Sequence, residues 1–324
     1  MTARSNSETL VTVYGGSGFV GRHVVRALAR RDYRIRVAVC RPELANYLQP
    51  LGRVGQIHAV QTNIRNGPSV EAAARDAHVL VNLVGVLMER GRQRFDAVHT
   101  IGAEQVALAA KSHGASLVHV SAIGADENSA SRYARSKAAA ERLVLTALPQ
   151  AVIMRPSIIF GPEDDFFNRF AALARISPAL PLIGGGQTKF QPVFVGDVAE
   201  AIAQAVDGSA GEGVVYELAG PEVWTFKQLM EYVLATIERK RLLLPLPFFA
   251  AKLQAMLLQF APPPLTLTSD QVELLRSDNV VSDAAKADGR TFAGLGIDPE
   301  PIEAIVPSYL WRFRKAGQFR SRTA

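Results

Sequence analysis

Tyr133 and Lys137 stand four residues apart in the helix-like stretch SRYARSKAAAE, so both side chains leave one helix face. An ammonium beside a phenol lowers a pKa that is ordinarily about 10 and readies the phenol to give up its proton. That spacing also arises by chance. It gains weight from a second stretch upstream, YGGSGFVGRHVVRAL, in which Gly15, Gly18 and Gly21 follow an apolar strand and open a helix.

In that strand–turn–helix setting Gly15 permits the tight turn, Gly18 lets backbone N–H groups approach a pyrophosphate, and Gly21 lets helix and strand pack closely. Ser17, Phe19, Val20 and Arg22 complete the loop, and the helix N-terminus directs partial positive charge at the phosphates. The alternative is a strand-to-helix turn without a ligand. With a dinucleotide bound, the Tyr–Lys pair has the logic of a carbonyl reductase acting beside a nicotinamide.

The end of the second strand selects the dinucleotide. A carboxylate there would accept hydrogen bonds from a free adenosine ribose, but this chain has Cys40 and then Arg41. Arg41, with Arg22 just past the loop, offers forked donors to a 2′-phosphate, so NADPH is expected over NADH. The competing reading makes both arginines solvated charges. Asn63, after the third strand, reads either as an adenine contact or as a turn residue.

These side chains need a scaffold. TLVTVYGG, RIRVAVCRP, IHAVQTNI, HVLVNLVGV, ASLVHVSAIGA and QAVIMRPSIIFG read as six strands, with helical stretches such as Val70 to Asp76 and Ile101 to His113 between them. Such alternation predicts an α/β fold, a Rossmann-type doubly wound parallel sheet over residues 1–161. After Gly161 the chain turns Pro-rich and aromatic, which predicts a smaller, interleaved C-terminal domain of residues 162–192 and 221–324. VFVGDVAEAIAQAV and GVVYELAG, within 193–220, are expected to return and complete the sheet.

The 324 residues, 48% hydrophobic and 20% charged, suffice for a substantial core. A net charge of +6 does not point to nucleic acid, and none is expected as partner. The one cysteine, Cys40, excludes an internal disulfide framework, and the six histidines lack ligand spacing, so no metal is expected. The start, MTARSNSETL, lacks the apolar region of a signal peptide and the character of an Arg-rich presequence, which suggests a cytoplasmic protein.

From about Thr9 to Gly220 the chain resembles the short-chain dehydrogenase/reductase superfamily in its extended or atypical branch. The glycine pattern, NLVG on the fourth strand, Tyr133 with Lys137, and Arg155-Pro156 carry the resemblance. RPSIIFGPEDDFFNRFA, PLIGGGQTKFQPVFVGDVAEAI and SRYARSKAAAE more closely resemble the NADPH-binding accessory subunits of respiratory complex I and their bacterial relatives. This resemblance implies a cofactor site that also includes Leu83, Val84, Gly85, Ser121, Pro156 and Ile158. It further implies NADPH held off the electron path without ascribed turnover, complex I subunits as partners, and a peripheral place on the cytoplasmic face of the inner membrane.

One departure bears on reactivity. Active members of the superfamily carry a serine or threonine just after the fifth strand, whereas VSAIGAD places Ser121 a residue early and follows it with Ala122 and Ile123. Tyr133 and Lys137 are then expected to hold the nicotinamide ribose rather than react, unless Ser129 or Ser131 supplies the hydroxyl.

Two further stretches each have two readings. Arg239, Lys240 and Arg241 precede an apolar segment, 242–264, too broken by proline for a membrane span. Within it Phe248 to Phe260 forms either a helix buried in the small domain or an interfacial one, presenting Phe249, Leu253, Met256, Leu257 and Phe260 to anionic lipid or a partner. WRFRKAGQFRSR sets Trp311, Phe313 and Phe319 among Arg312, Arg314, Lys315, Arg320 and Arg322, as an anionic-surface contact or a solvated tail. Three functions stay open: an NADPH-holding accessory subunit, an independent NADP-dependent reductase or epimerase of an apolar or quinone-like molecule, and a redox sensor. The altered fifth-strand end argues against the second.

Overall fold

The apolar run Leu10–Tyr14 forms β1, with its last four side chains buried. In the computed structural model, which describes residues 5–262 and 264–316, β1 lies inside a seven-stranded, wholly parallel sheet. β2 (Arg34–Val39) and β3 (Ile57–Gln61) lie on one side of it. β4 (Val79–Asn82), β5 (Ser116–Val120), β6 (Val152–Pro156) and the late strand Val215–Leu218 follow on the other. This is the expected Rossmann-type doubly wound sheet, and its order reverses between β1 and β4.

The strand ends are level. Tyr14 lies opposite Ala38 and Asn82, Asn82 opposite His119, and Val120 opposite Met154. All the strands run the same way, so every turn that follows a strand opens on one edge of the sheet. Among the crossovers are α1 (Phe19–Arg30), α2 (Gly67–Ala74), α3 (Ile101–His113) and α4 (Arg132–Ala147). The Tyr14 hydroxyl reaches the Val70 carbonyl at 2.8 Å and ties β1 to α2.

The chain divides into two units. The first comprises the chain up to Pro156, Val195–Leu218 and Ser282–Asp298; the second comprises Ser157–Phe194, Ala219–Val281 and the chain from Pro299. The run 150–161, expected as one strand, is split: β6 ends at Pro156, and Ile159–Phe160 pairs with Val193–Phe194 in the second unit. Ser282–Asp298, expected in the smaller domain, belongs to the first unit for a polar reason. The Glu217 N–H donates to the Arg290 carbonyl at 2.9 Å, and the Glu217 carboxylate accepts the Ser282 N–H at 2.7 Å.

In the second unit α5 (Phe167–Ile176), Phe160, Phe190, Phe226 and Leu310 enclose a core. Asp164 is buried in this unit, where its carboxylate accepts the Tyr309 hydroxyl at 2.6 Å. Beyond α6 (Val195–Val206) of the first unit and α7 (Phe226–Thr236) comes α8, Phe248–Leu258. α8 turns Ala251 and Ala255 inward, whereas Phe249, Leu253, Met256, Leu257 and, just beyond it, Phe260 are 52–85% exposed. The buried-helix reading of this stretch is therefore corrected.

The solvated-tail reading is corrected as far as Arg314. Phe313 is buried, Arg314 Nε donates to the Thr236 carbonyl at 2.9 Å, and Arg312 Nη2 donates to Asn168 Oδ1 at 2.6 Å. Arg239 and Arg241 likewise donate to the carbonyls of Phe313 and Ala174, at 2.9 and 2.7 Å. Lys315 is exposed, and Phe319, Arg320 and Arg322 lie outside the described residues.

Candidate dinucleotide site

Gly15 turns the chain out of β1 with φ +78°, where a Cβ would lie 3.1 Å from Val84 Cγ2. A Cβ on Gly21 would sit 2.4 Å from the Gly15 carbonyl oxygen, so any side chain there would push α1 off the loop. Gly18 differs: its φ is −73°, and a Cβ would meet only the Gly15 oxygen, at 3.3 Å. The protein's own packing resists a side chain at 18 far less than at 21, since a shift of a few tenths of an ångström would relieve this one contact, and so does not by itself demand glycine. A ligand brought against the backbone would require it, and no side chain caps α1 at this point.

A 3-10 helix, Pro42–Leu51, brings the Tyr47 hydroxyl to the Ser17 carbonyl at 2.6 Å. The Arg22 guanidinium lies 5.3 Å from the centre of the Tyr47 ring, so Arg22 is held at the loop by an aromatic face. Arg41 is exposed two residues past the end of β2, and no carboxylate pairs with it among the described residues. Asn63 Oδ1 accepts the Arg65 N–H at 3.2 Å, a turn contact in which its amide nitrogen takes no part.

After β4, Asn82 Oδ1 accepts the Val84 N–H at 3.1 Å and shapes the Leu83–Gly85 segment. A Cβ on Gly85 would lie 3.4 Å from Lys137 Nζ and 3.6 Å from His99 Nε2, so this segment meets α4 closely. Lys137 is buried, donates from Nζ to the Val120 carbonyl at 3.1 Å, and lies 6.0 Å from the centre of the Tyr133 ring. Burial pushes its pKa down to about 8, against the opposing pull of Glu141. Burial, and then the nearby Lys137 charge, push His119 down to about 3 and hold His99 far below the usual imidazole range.

The hydroxyls proposed as substitutes have other work. Ser131 Oγ accepts the Ala134 N–H at 3.2 Å as the N-cap of α4, and Ser129 Oγ accepts the Ser131 N–H at 3.2 Å. Ser121 Oγ is buried with no protein partner among the described residues, and so is Nε2 of His119, whose Nδ1 contacts Asn82 Nδ2 at 3.1 Å. Ile123 puts an alkyl group where the polarising hydroxyl is expected.

The first unit thus gathers the glycine loop, Leu83–Gly85, Ser121, Tyr133, Lys137 and Pro156 along one sheet edge. Ile158 belongs to the second unit, where its N–H donates to Asn279 Oδ1 at 3.0 Å. Tyr47, His99 and His119 stand outside the motifs that the sequence singles out, whereas Asn82 and Ser136 fall inside NLVG and SRYARSKAAAE without a role of their own there. Of the first three, only His119 carried a signal, an imidazole inside the buried run SLVHV.

Residues 11–219 match the NAD dependent epimerase/dehydratase family. The chain belongs to that family. Its fold is therefore an NAD(P)-binding one. The mitochondrial NADH dehydrogenase (ubiquinone) 1 alpha subcomplex subunit 9 of Arabidopsis thaliana is 38% identical, covering 97% of this chain and 80% of its own length. The mitochondrial NADH-ubiquinone oxidoreductase 40 kDa subunit of Neurospora crassa is 31% identical, with 95% and 80% covered. The solved UDP-glucose 4-epimerase of Thermus thermophilus in complex with NAD, 22% identical, shares the fold at a TM-score of 0.67 over 95% of this chain and 100% of that one. Among the described residues, no helix is long and apolar enough to cross a membrane.

Proposed function

We propose that this protein is an accessory subunit of a respiratory NADH:quinone oxidoreductase, holding NADPH without turning it over. The observation that carries this reading is the extent of the likeness: identity to named subunits of that enzyme runs through 95–97% of the chain, far beyond the dinucleotide-binding part. The glycine cradle, with Gly18 unexplained by internal packing, supports a pyrophosphate at the start of α1. Arg41 and Arg22 would take the 2′-phosphate, Asn63 the adenine, and Tyr133 and Lys137 the hydroxyls of the nicotinamide ribose.

Bound NADPH would supply a hydride donor, but the chain's own residues favour retention. Ile123 offers no hydroxyl to a carbonyl, and Ser129 and Ser131 are committed to the start of α4. A second reading, an NADP-dependent reductase of an apolar or quinone-like molecule, is favoured by the Tyr133–Lys137 pair and the unpartnered Ser121 hydroxyl.

The face of α8 is the part that would meet the assembly or an anionic lipid surface, at the cytoplasmic side of the inner membrane. Five large apolar side chains stand exposed there, while the cations at 239, 241, 312 and 314 make internal bonds. Membranes solubilised in mild detergent should hold the protein in a large assembly with NADH:quinone oxidoreductase activity. The protein extracted from that assembly should release NADPH on denaturation. Recovery only as a free species, in cells that contain the complex, would overturn the proposal, as would NADPH consumption with a quinone that Tyr133→Phe abolishes.

A further inference from the structure

We infer that His99 is a positioning residue of the dinucleotide site, a neutral imidazole that ties the chain after β4 to the Tyr133–Lys137 turn of α4. The inference rests on the NADPH-holding reading. Asp96–Thr100 forms a π-helical turn directly ahead of α3, and such a turn inserts an extra residue into the helical ladder. His99 lies in it with 2% exposure.

Both ring nitrogens are used. Nε2 accepts the Val86 N–H at 3.0 Å, which leaves the ring proton on Nδ1. Nδ1 then donates to Ser136 Oγ at 2.9 Å, and the Ser136 hydroxyl donates its one hydrogen bond to the Tyr133 carbonyl at 2.7 Å. Each link has one direction open to it. One end of this chain of bonds is the amide next to Leu83–Gly85; the other is the backbone of the residue that carries the phenol. Phe95 stacks on the imidazole at 5.4 Å, and the Tyr133 ring stands edge-on to it at 5.4 Å. His99 thus acts through two segments that flank the site of the nicotinamide ribose.

His99→Phe preserves an aromatic ring for stacking and removes both hydrogen bonds, while Ser136→Ala removes only the α4 half. Each variant is titrated with NADPH and with adenosine 2′,5′-bisphosphate, which engages the adenosine half of the site alone. The expected result is about tenfold weaker NADPH binding in His99→Phe, a smaller loss in Ser136→Ala, and unchanged bisphosphate binding in both. Undiminished NADPH affinity in both variants would overturn the inference, and so would equal losses for the two ligands, which general loosening of the fold produces. Should His99→Phe fail to fold, Ser136→Ala decides by the same comparison. A wild-type protein that binds neither ligand would refute the NADPH reading itself and the inference with it.

Discussion

Gly18→Ala separates what the fold needs from what a ligand needs. At φ −73° and ψ −178° alanine is unstrained, and its Cβ would meet one oxygen at 3.3 Å, a contact relieved by a shift of a few tenths of an ångström. Losing glycine as N-cap costs a fraction of about 1 kcal/mol, and the reduced entropy of the unfolded chain returns about 0.4–1 kcal/mol. The two offset, so cofactor-free Gly18→Ala should melt close to wild type. The added methyl stands where a pyrophosphate must approach the backbone. Losing one charge-assisted N–H contact costs about 1.5–3 kcal/mol, or about one to two decades in affinity. Gly21→Ala is the contrast: backbone atoms at 2.4 and 2.6 Å cannot yield like a side chain, so the cofactor-free protein should itself lose about 1–3 kcal/mol. Fluorescence titration with NADPH, paired with thermal melts of stripped protein, reads both effects. Wild-type NADPH affinity in Gly18→Ala would refute the reasoning, as would a loss of cofactor-free stability equal to that of Gly21→Ala.

Arg41→Ala should weaken NADPH binding by about one to two decades and leave NADH binding unchanged, as calorimetric titration of both would show. Lys137 gives effects of opposite sign with pH. Its folded-state pKa is lowered from 10.5 to about 8, so between those values the unfolded chain binds more protons and this group's contribution to stability rises as pH climbs through 8. NADPH affinity should fall over the same interval as the ammonium is lost. Lys137→Met, titrated and melted from pH 7 to 10, should flatten both trends, and a wild-type affinity that stays constant across pH 8 would contradict the assignment of Lys137 to the ribose.

The sheet was legible because each strand is an apolar run punctuated by glycine, proline or a helical period, and parallel packing forces the turns after the strands onto one edge. Gly15 and Gly21 could be read from spacing for the same steric reasons that the structure displays. Other features depend on the third dimension. The bond from His99 to Ser136 joins two helices whose sequences show nothing of each other, and the two directions of its hydrogen bonds follow only from Val86 and Tyr133. The α8 pattern was visible, but not which face is buried: Ala251 and Ala255 turn inward while the larger side chains turn out, the reverse of what burial alone favours. The tail misled because its charges suggested solvent, whereas Arg314 and Arg239 bind carbonyls around a buried Phe313.

The return of Ser282–Asp298 to the first unit has a consequence for biosynthesis. The Val215 carbonyl of the strand Val215–Leu218 accepts from the Arg290 guanidinium, the Glu217 N–H donates to the Arg290 carbonyl, and the buried Glu217 carboxylate needs the Ser282 N–H. A nascent chain halted before those residues would already contain every strand of the sheet but would leave one of its outer strands without the backbone groups that satisfy it. Small domains commonly complete their folding in order as they emerge from the ribosome. Here the earlier unit must wait for a segment made after most of the later one, which exposes a half-finished sheet edge during translation and gives a chaperone a defined interval in which to act.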